Sequence, residues 1–254
     1  MNTELKKEGG FQYLEVGEGT TIIILHGLMG NLSNFEGVFN HFPPKGYRVI
    51  MPELPIYDLP LLKTNVKNLA KFVKTFIEFK KIDKYILMGN SLGGHVALYF
   101  SKMYPKDVLG MILTGSSGLY ENAMGGSFPR RGDYEYVKKK VQDVFYDSEI
   151  ATKEIVDESF ATINDRSKLI RTLAIAKSAI RHNMSKDLPN LKMPACLIWG
   201  KNDEVTPPDV ADEFNTLLPN SDLYWIDKCG HAPMMEHPDK FNEMIDNWLK
   251  KQNF

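Results

Sequence analysis

Disulfide chemistry, membrane spans and an excess of charge of either sign all find little material in this 254-residue chain. Its two cysteines, Cys196 and Cys229, are too few for a disulfide framework. Cys196 opens one expected strand and Cys229 lies past the end of the next. That separates them by roughly 15 Å at ~3.3 Å per residue, beyond the ~7 Å limit for a bridge, so two unbridged, inert thiols are expected. No run approaches the ~20 apolar residues of a membrane span. The polar start, Met1 to Glu8, offers no apolar stretch for a signal peptide, so a cytoplasmic protein is expected. Lys and Arg number 31 against 32 Asp and Glu, for a net charge of −1, which argues against a nucleic-acid partner. There is no internal repeat and no low-complexity segment. What is present is ordinary for a globular protein: 43% hydrophobic and 25% charged residues. At this length roughly three quarters of the unfolded surface can be buried, enough for one domain with an inserted sub-domain.

Periodicity divides the chain into strands and helices. Phe11 to Val16, Thr21 to Leu25, Tyr47 to Met51, Lys84 to Met88 and Val108 to Thr114 read as strands. The run Ile22-Ile23-Ile24-Leu25 is the unbroken apolar pattern of a strand covered on both faces. Thr64 to Lys80 carries a helical stripe, and Leu92 to Met103 is a second helix. After Gly118 the texture changes. From Leu119 to Leu188 the patterns are helical and more charged, beginning with the loop-like Asn122 to Gly132. Helices are expected over Tyr134 to Phe145, Ser148 to Ile163 and Ser167 to Asn183. Strands return at Ala195 to Trp199 and Leu223 to Ile226, with helices at Pro207 to Leu217 and Lys240 to Lys250. Strand–helix alternation implies parallel strands joined by crossover helices, an α/β fold. The helical block at 119–188 reads as a cap inserted into a core formed by 1–118 and 189–254.

Gly89-Asn90-Ser91-Leu92-Gly93-Gly94 carries most of the chemistry. It fits G-x-S-x-G between a strand and a helix, the context of a nucleophile elbow. A sharp reversal there makes the serine protrude, and glycines two residues to either side remove Cβ atoms that would clash. Such a serine needs a positioned base. Of six histidines, His231 follows a strand and precedes the last helix, where parallel sheets place functional loops. Asp203, three residues past Gly200 at the end of the preceding strand, is the expected orienting acid, with Glu204 and Asp227 as competitors. The chain order Ser91, Asp203, His231 differs from that of the chymotrypsin and subtilisin types. Leu25-His26-Gly27-Leu28-Met29-Gly30 ends an early strand in a glycine-rich loop. The backbone N–H groups of Leu28 and Leu92 are the expected oxyanion donors, and His26 is expected to hold that turn rather than to act as base.

Taken together, His26-Gly27 with Gly30, the Gly89–Gly94 elbow, Trp199-Gly200 with Asp203 and Thr206-Pro207, and Gly230-His231-Ala232-Pro233 with Glu236-His237-Pro238 resemble the α/β-hydrolase superfamily over nearly the whole chain. The resemblance implies a mostly parallel sheet of about eight strands flanked by helices. It also implies a helical lid after the sixth strand and no cofactor. Two departures stand out. Met51 to Pro60 replaces the Asp-x-x-Gly-x-Gly-x-Ser stretch that members often carry, and serine at position 91 disfavours the aspartate-dependent dehalogenase and epoxide hydrolase activities. The Gly-Asn-Ser elbow with its double glycine is also similar to carbon–carbon bond hydrolases of aromatic degradation, although Ala232 and Leu28-Met29 do not match their usual residues.

Competing patterns are weaker. The elbow lacks the endings of a P-loop or a dinucleotide site, and His231 and His237 do not have the spacing of a metal motif. Arg130 and Arg131 are read as solvated or as facing an acidic substrate, and the lysines of Val137 to Lys140 as a wet helix face. Met124, Phe128, Met234 and Met235 are candidates to line an apolar pocket or to pack the lid on the core. The expected function is cofactor-independent serine hydrolysis of a small-molecule ester or thioester. The alternatives are carbon–carbon hydrolysis and non-catalytic ligand binding.

Overall fold

The computed structural model describes residues 4–30, 32–121 and 130–254. Met124 and Phe128 therefore lie outside the described residues. Among the described residues eight strands form one sheet: β1 (Lys6–Glu8), β2 (Phe11–Val16), β3 (Thr20–Leu25), β4 (Tyr47–Pro52), β5 (Tyr85–Asn90), β6 (Val108–Thr114), β7 (Ala195–Gly200) and β8 (Ser221–Ile226). Their spatial order is β1-β2-β4-β3-β5-β6-β7-β8. β1 and β2 pair antiparallel, as do β2 and β4; the pairs from β4–β3 onward are parallel. The helices among the described residues are α1 (Glu36–His41), α2 (Val66–Lys80), α3 (Leu92–Met103), α4 (Tyr134–Gln142), α5 (Lys153–Asn164), α6 (Arg166–Arg181), α7 (Pro208–Leu217), α8 (Pro233–Glu236) and α9 (Pro238–Gln252).

The apolar runs of the central strands are explained by burial on both faces. Ile23 and Leu25 join one layer with residues of α2, α3 and α7. Ile22 and Ile24, pointing the other way because side chains alternate along a strand, join a second layer with α1 and α9. The edge strand β1 carries no such pattern. Its residues Lys6, Lys7 and Glu8 are exposed. It is held by ladder bonds to β2 and by a 3.0 Å ion pair from Lys6 to Glu15, a carboxylate that also receives Lys80 and Arg48. Burial alone would raise the Glu15 pKa, but Lys80, Arg48 and Lys6 together lower it to about 2.

Between β6 and β7 lie α4, α5 and α6, each started by a side-chain cap from Asp133, Thr152 and Asp165 respectively. This segment is tied to the sheet side of the molecule at several points. Ser178 Oγ accepts from Val66 N–H at 3.0 Å, and Met184 N–H donates to Gly118 O at 2.7 Å.

Among the described glycines, an added Cβ would meet backbone most closely where α3 crosses the end of β3. A Cβ on Gly93 would lie 1.8 Å from Leu25 O, and backbone cannot yield as a flexible side chain can. Gly93→Ala is expected to destabilise the fold by about 3 kcal/mol or more, read as a lowered midpoint in urea denaturation. An unchanged midpoint would contradict this packing.

Candidate active site

The strand-to-helix reversal between β5 and α3 places Ser91 at φ 53° and ψ −120°, a sparsely populated conformation for a residue with a side chain. Its backbone is pinned on both sides. Ser91 N–H donates to Thr114 O at 3.2 Å, and Ser91 O accepts from His95 N–H at 3.2 Å and Ser117 N–H at 3.1 Å. Position 91 is thus over-determined by β6 and α3, as a strained backbone must be to persist.

Asp203 lies in the loop after β7, its side chain fully buried. Oδ1 accepts from Val205 N–H at 2.8 Å and Thr206 N–H at 2.9 Å, and Oδ2 accepts from the Thr206 hydroxyl at 2.9 Å. His231 lies in the loop after β8, with its Nδ1 2.9 Å from Asp203 Oδ2 and 3.1 Å from Oδ1. A carboxylate offers only acceptors, so Nδ1 carries the proton and Nε2 is left with its lone pair. Burial works to lower the His231 pKa. The Asp203 charge and hydrogen bond outweigh it, Glu121 and Glu236 add to them, and the imidazole is held above its ordinary value. The competing acids stand elsewhere. Asp227 pairs with Lys201 at the surface at 2.6 Å, and Glu204 is exposed.

The histidine loop is fastened from two directions. The Asn90 amide donates to Thr114 O and to His231 O, both at 3.0 Å, so one buried side chain joins the elbow to the histidine. Gly115, at φ 48°, sits so close that a Cβ there would be 2.8 Å from His231 Nδ1. On the other side the chain between α4 and α5 closes over the loop. His231 N–H donates to Val144 O at 2.8 Å. Glu236 accepts from Gly230 N–H at 2.7 Å through Oε1 and from Tyr146 N–H at 2.8 Å through Oε2.

Ser91 and His231 line one cavity of about 490 Å³. Leu28 and Leu92 line it too. The loop bearing Leu28 is a tight turn, with Gly30 N–H donating to Gly27 O at 3.0 Å and Met29 at φ 59°. His26 braces that turn. Its Nε2 accepts from Leu54 N–H at 2.9 Å, so Nδ1–H donates to Gly27 O at 3.0 Å. Burial lowers its pKa, and the ring is neutral. Met234 and Met235 also line the cavity, as does Lys140, which the lysine run alone suggested was only a wet face. Arg130 and Arg131 are exposed and stand outside the cavity lining.

The remaining histidines serve structure. His95 donates from Nε2 to His182 O at 2.9 Å, with burial lowering its pKa to about 4, and His41 meets Asp246 at 2.8 Å. Both cysteines are buried and unbridged. Among the described residues no cluster of three His, Cys, Asp or Glu side chains could hold a metal ion, and no helix is long and apolar enough to cross a membrane. Sequence reasoning did not assign the Asn90 amide, the Thr206 hydroxyl, Ser117, Glu121 or the Glu236 carboxylate. Asn90 and Thr206 stand inside the motifs, but nothing in the pattern says which way their polar atoms turn.

A family model described as the alpha/beta hydrolase fold matches residues 20–173 and 150–238. A crystal structure of MGS-MChE2, an alpha/beta hydrolase enzyme from the metagenome of sediments of the Mar Chica lagoon, Morocco, is 54% identical, covers 99% of this chain and 100% of its own, and superposes with a TM-score of 0.83. The chain is 27% identical to the 2-hydroxy-6-oxononadienedioate/2-hydroxy-6-oxononatrienedioate hydrolase of Comamonas testosteroni, over 92% of this chain and 89% of that one. It is equally 27% identical, over the same shares, to the 2-hydroxy-6-oxo-6-phenylhexa-2,4-dienoate hydrolase of Burkholderia cepacia.

Proposed function

The chain belongs to the alpha/beta hydrolase family, and from that premise we propose that it is a serine hydrolase cleaving a small carboxylic ester or thioester through an acyl-enzyme. The observation that carries this reading is the buried Asp203–His231 pair, 2.9 Å apart, opening on the same cavity as the strained serine at the elbow. Ser91 Oγ attacks the acyl carbon while His231 Nε2 takes its proton. The imidazolium, steadied by Asp203, returns that proton to the departing alkoxide or thiolate. Water then attacks the acyl-enzyme, again losing a proton to Nε2, and Ser91 recovers its hydroxyl proton as the acid leaves. The N–H groups of Leu28 and Leu92 hold the oxyanion, each donor worth about 3 kcal/mol in the transition state. We read residues 119–188 as a cap over a core of 1–118 and 189–254, since Val137, Val141, Ile155 and Ile175 from its described helices line the cavity. No step in this cycle calls for a cofactor.

The direct test is a stopped-flow burst of 4-nitrophenol from 4-nitrophenyl acetate or butyrate at pH 8, together with labelling by a fluorophosphonate probe. Neither burst, turnover nor labelling would leave a non-catalytic ligand-binding protein as the better reading. Carbon–carbon hydrolysis is the second enzymatic reading, favoured by the likeness to the two dienoate-type hydrolases. Its test is the decay of the coloured 2-hydroxy-6-oxo-6-phenylhexa-2,4-dienoate on mixing with enzyme.

The charge around His231 sets the pH dependence. The base must be neutral to accept a proton, so activity is lost as pH falls through its pKa. Because that pKa is raised above its ordinary 6.5, kcat/KM, which reports the free enzyme, is expected to fall on the acid side with a midpoint above 6.5. A midpoint clearly below 6.5 in a pH–rate profile would contradict the electrostatics of the pair.

A further inference from the structure

The cavity that holds Ser91 and His231 is apolar through much of its wall, with Val137, Val141, Ile155, Ile163, Ile175 and Met234 among its lining. Its charges are one-sided. Three carboxylates line it, Glu121, Glu154 and Glu158, against one described cation, Lys140. Lys140 does not offset them freely, since its ammonium is paired with Asp143 at 3.2 Å. The carboxylates sit at different depths. Glu154 and Glu158 stand one turn apart on α5 and are exposed, as expected at an opening. Glu121 is half-buried and joined to the elbow: its Oε2 accepts from Ser117 Oγ at 2.6 Å, and Ser117 N–H donates to Ser91 O at 3.1 Å.

We propose that this cavity accepts esters with an uncharged, apolar acyl chain and rejects those whose acyl chain ends in a carboxylate, with Glu121 the inner and Glu154 and Glu158 the outer specificity-determining residues. A carboxylate entering an apolar cavity loses its water, and its hydration is replaced only if donors or cations meet it. Here it meets like charge in a partly solvated cleft, where one charge at about 8 Å slows entry and binding by roughly tenfold or more. The apolar lining favours a saturated or aromatic chain over the same surface area. This sets the chain apart from the first relative above, whose name specifies a dicarboxylate with a carboxylate on either side of its ketone. The inference rests on the ester-hydrolase reading of the same site.

The test compares kcat/KM for 4-nitrophenyl hexanoate with that for mono-4-nitrophenyl adipate, an acyl chain of equal length ending in a carboxylate, in the wild-type protein, in E121Q and in the E121Q/E154Q/E158Q variant. The wild type is expected to prefer the hexanoate by at least about 30-fold, E121Q to narrow that ratio by roughly three- to tenfold, and the triple variant to bring it under about fivefold. Because both esters are read in each protein, a variant that folds less well still yields its ratio. Similar wild-type rates on the two esters, or a ratio unmoved in all variants, overturns the charge selection while leaving ester hydrolysis standing. If neither ester turns over and a fluorophosphonate fails to label the protein, the ester-hydrolase reading falls and the selection with it.

Discussion

Replacing Ser91 with alanine is expected to abolish fluorophosphonate labelling and to lower kcat on 4-nitrophenyl butyrate by roughly 10⁵-fold or more, about 7 kcal/mol of transition-state stabilisation. The size follows from what the substitution deletes. Without the hydroxyl there is no acyl-enzyme, and the remaining route is direct attack by water, helped only by oxyanion donors and by confinement in the cavity. The fold should survive. The bonds that fix position 91 run from its own N–H to Thr114 O and to its own C=O from His95 and Ser117, and alanine supplies the same backbone. Thermal unfolding within about 1 kcal/mol of wild type is therefore expected. An undiminished rate in a folded Ser91→Ala protein would place the chemistry on another residue. His26 is a poor substitute, because both its ring nitrogens are committed to Leu54 N–H and Gly27 O.

Much of this site could be read from the residue string because the elbow imposes local constraints that leave marks. Gly93 must be glycine to let α3 pass Leu25 O, and the change from an apolar strand run to a helical stripe at Ser91 is visible in a few residues. The break between α3 and β6 is marked too, by Pro105, and Gly115 follows the end of β6. The sequence is mute where an element is held by partners distant in the chain. β1 is three charged residues and is a strand only because β2 and Glu15 are beside it. α1 is a six-residue helix preceded by Phe35, with no side-chain cap, so nothing local announces it. The polar supports of the histidine escaped for the same reason. Glu236 stands in the Glu236-His237-Pro238 motif, but nothing in that pattern says which groups its carboxylate meets. Only the fold brings the Tyr146 and Gly230 N–H groups to its two oxygens.

These supports also explain why the histidine loop belongs to two parts of the molecule at once. Asn90 ties His231 O to the elbow, while Val144 O and Glu236 tie the same loop to the chain between α4 and α5. A displacement of that helical segment would pull on Gly230 and on His231 N–H before it reached the sheet. The cavity-lining Val144 and the imidazole of His231 are therefore joined through hydrogen bonds of one loop.

Asp203→Asn is the most informative single change at the pair, and is expected to lower kcat by about 10⁴-fold with the fold intact. Oδ1 of Asp203 is claimed by two backbone donors, Val205 N–H and Thr206 N–H. An asparagine amide oxygen must take that place, since an NH₂ there would confront both donors. The NH₂ then occupies the position of Oδ2, facing the Thr206 hydroxyl and His231 Nδ1. The hydroxyl can turn to accept. The imidazole can accept at Nδ1 only by moving its proton to Nε2, the nitrogen that has to receive the serine proton. The substitution leaves packing nearly unchanged and disables the base by tautomer. It also removes the largest influence raising the His231 pKa, so the acid limb of whatever activity remains should shift to lower pH. The two readouts are kcat on 4-nitrophenyl butyrate and the midpoint of that limb. A rate within tenfold of wild type would mean that Asp203 does not orient His231 in the working enzyme, and a limb that stays in place would mean that it does not raise the His231 pKa.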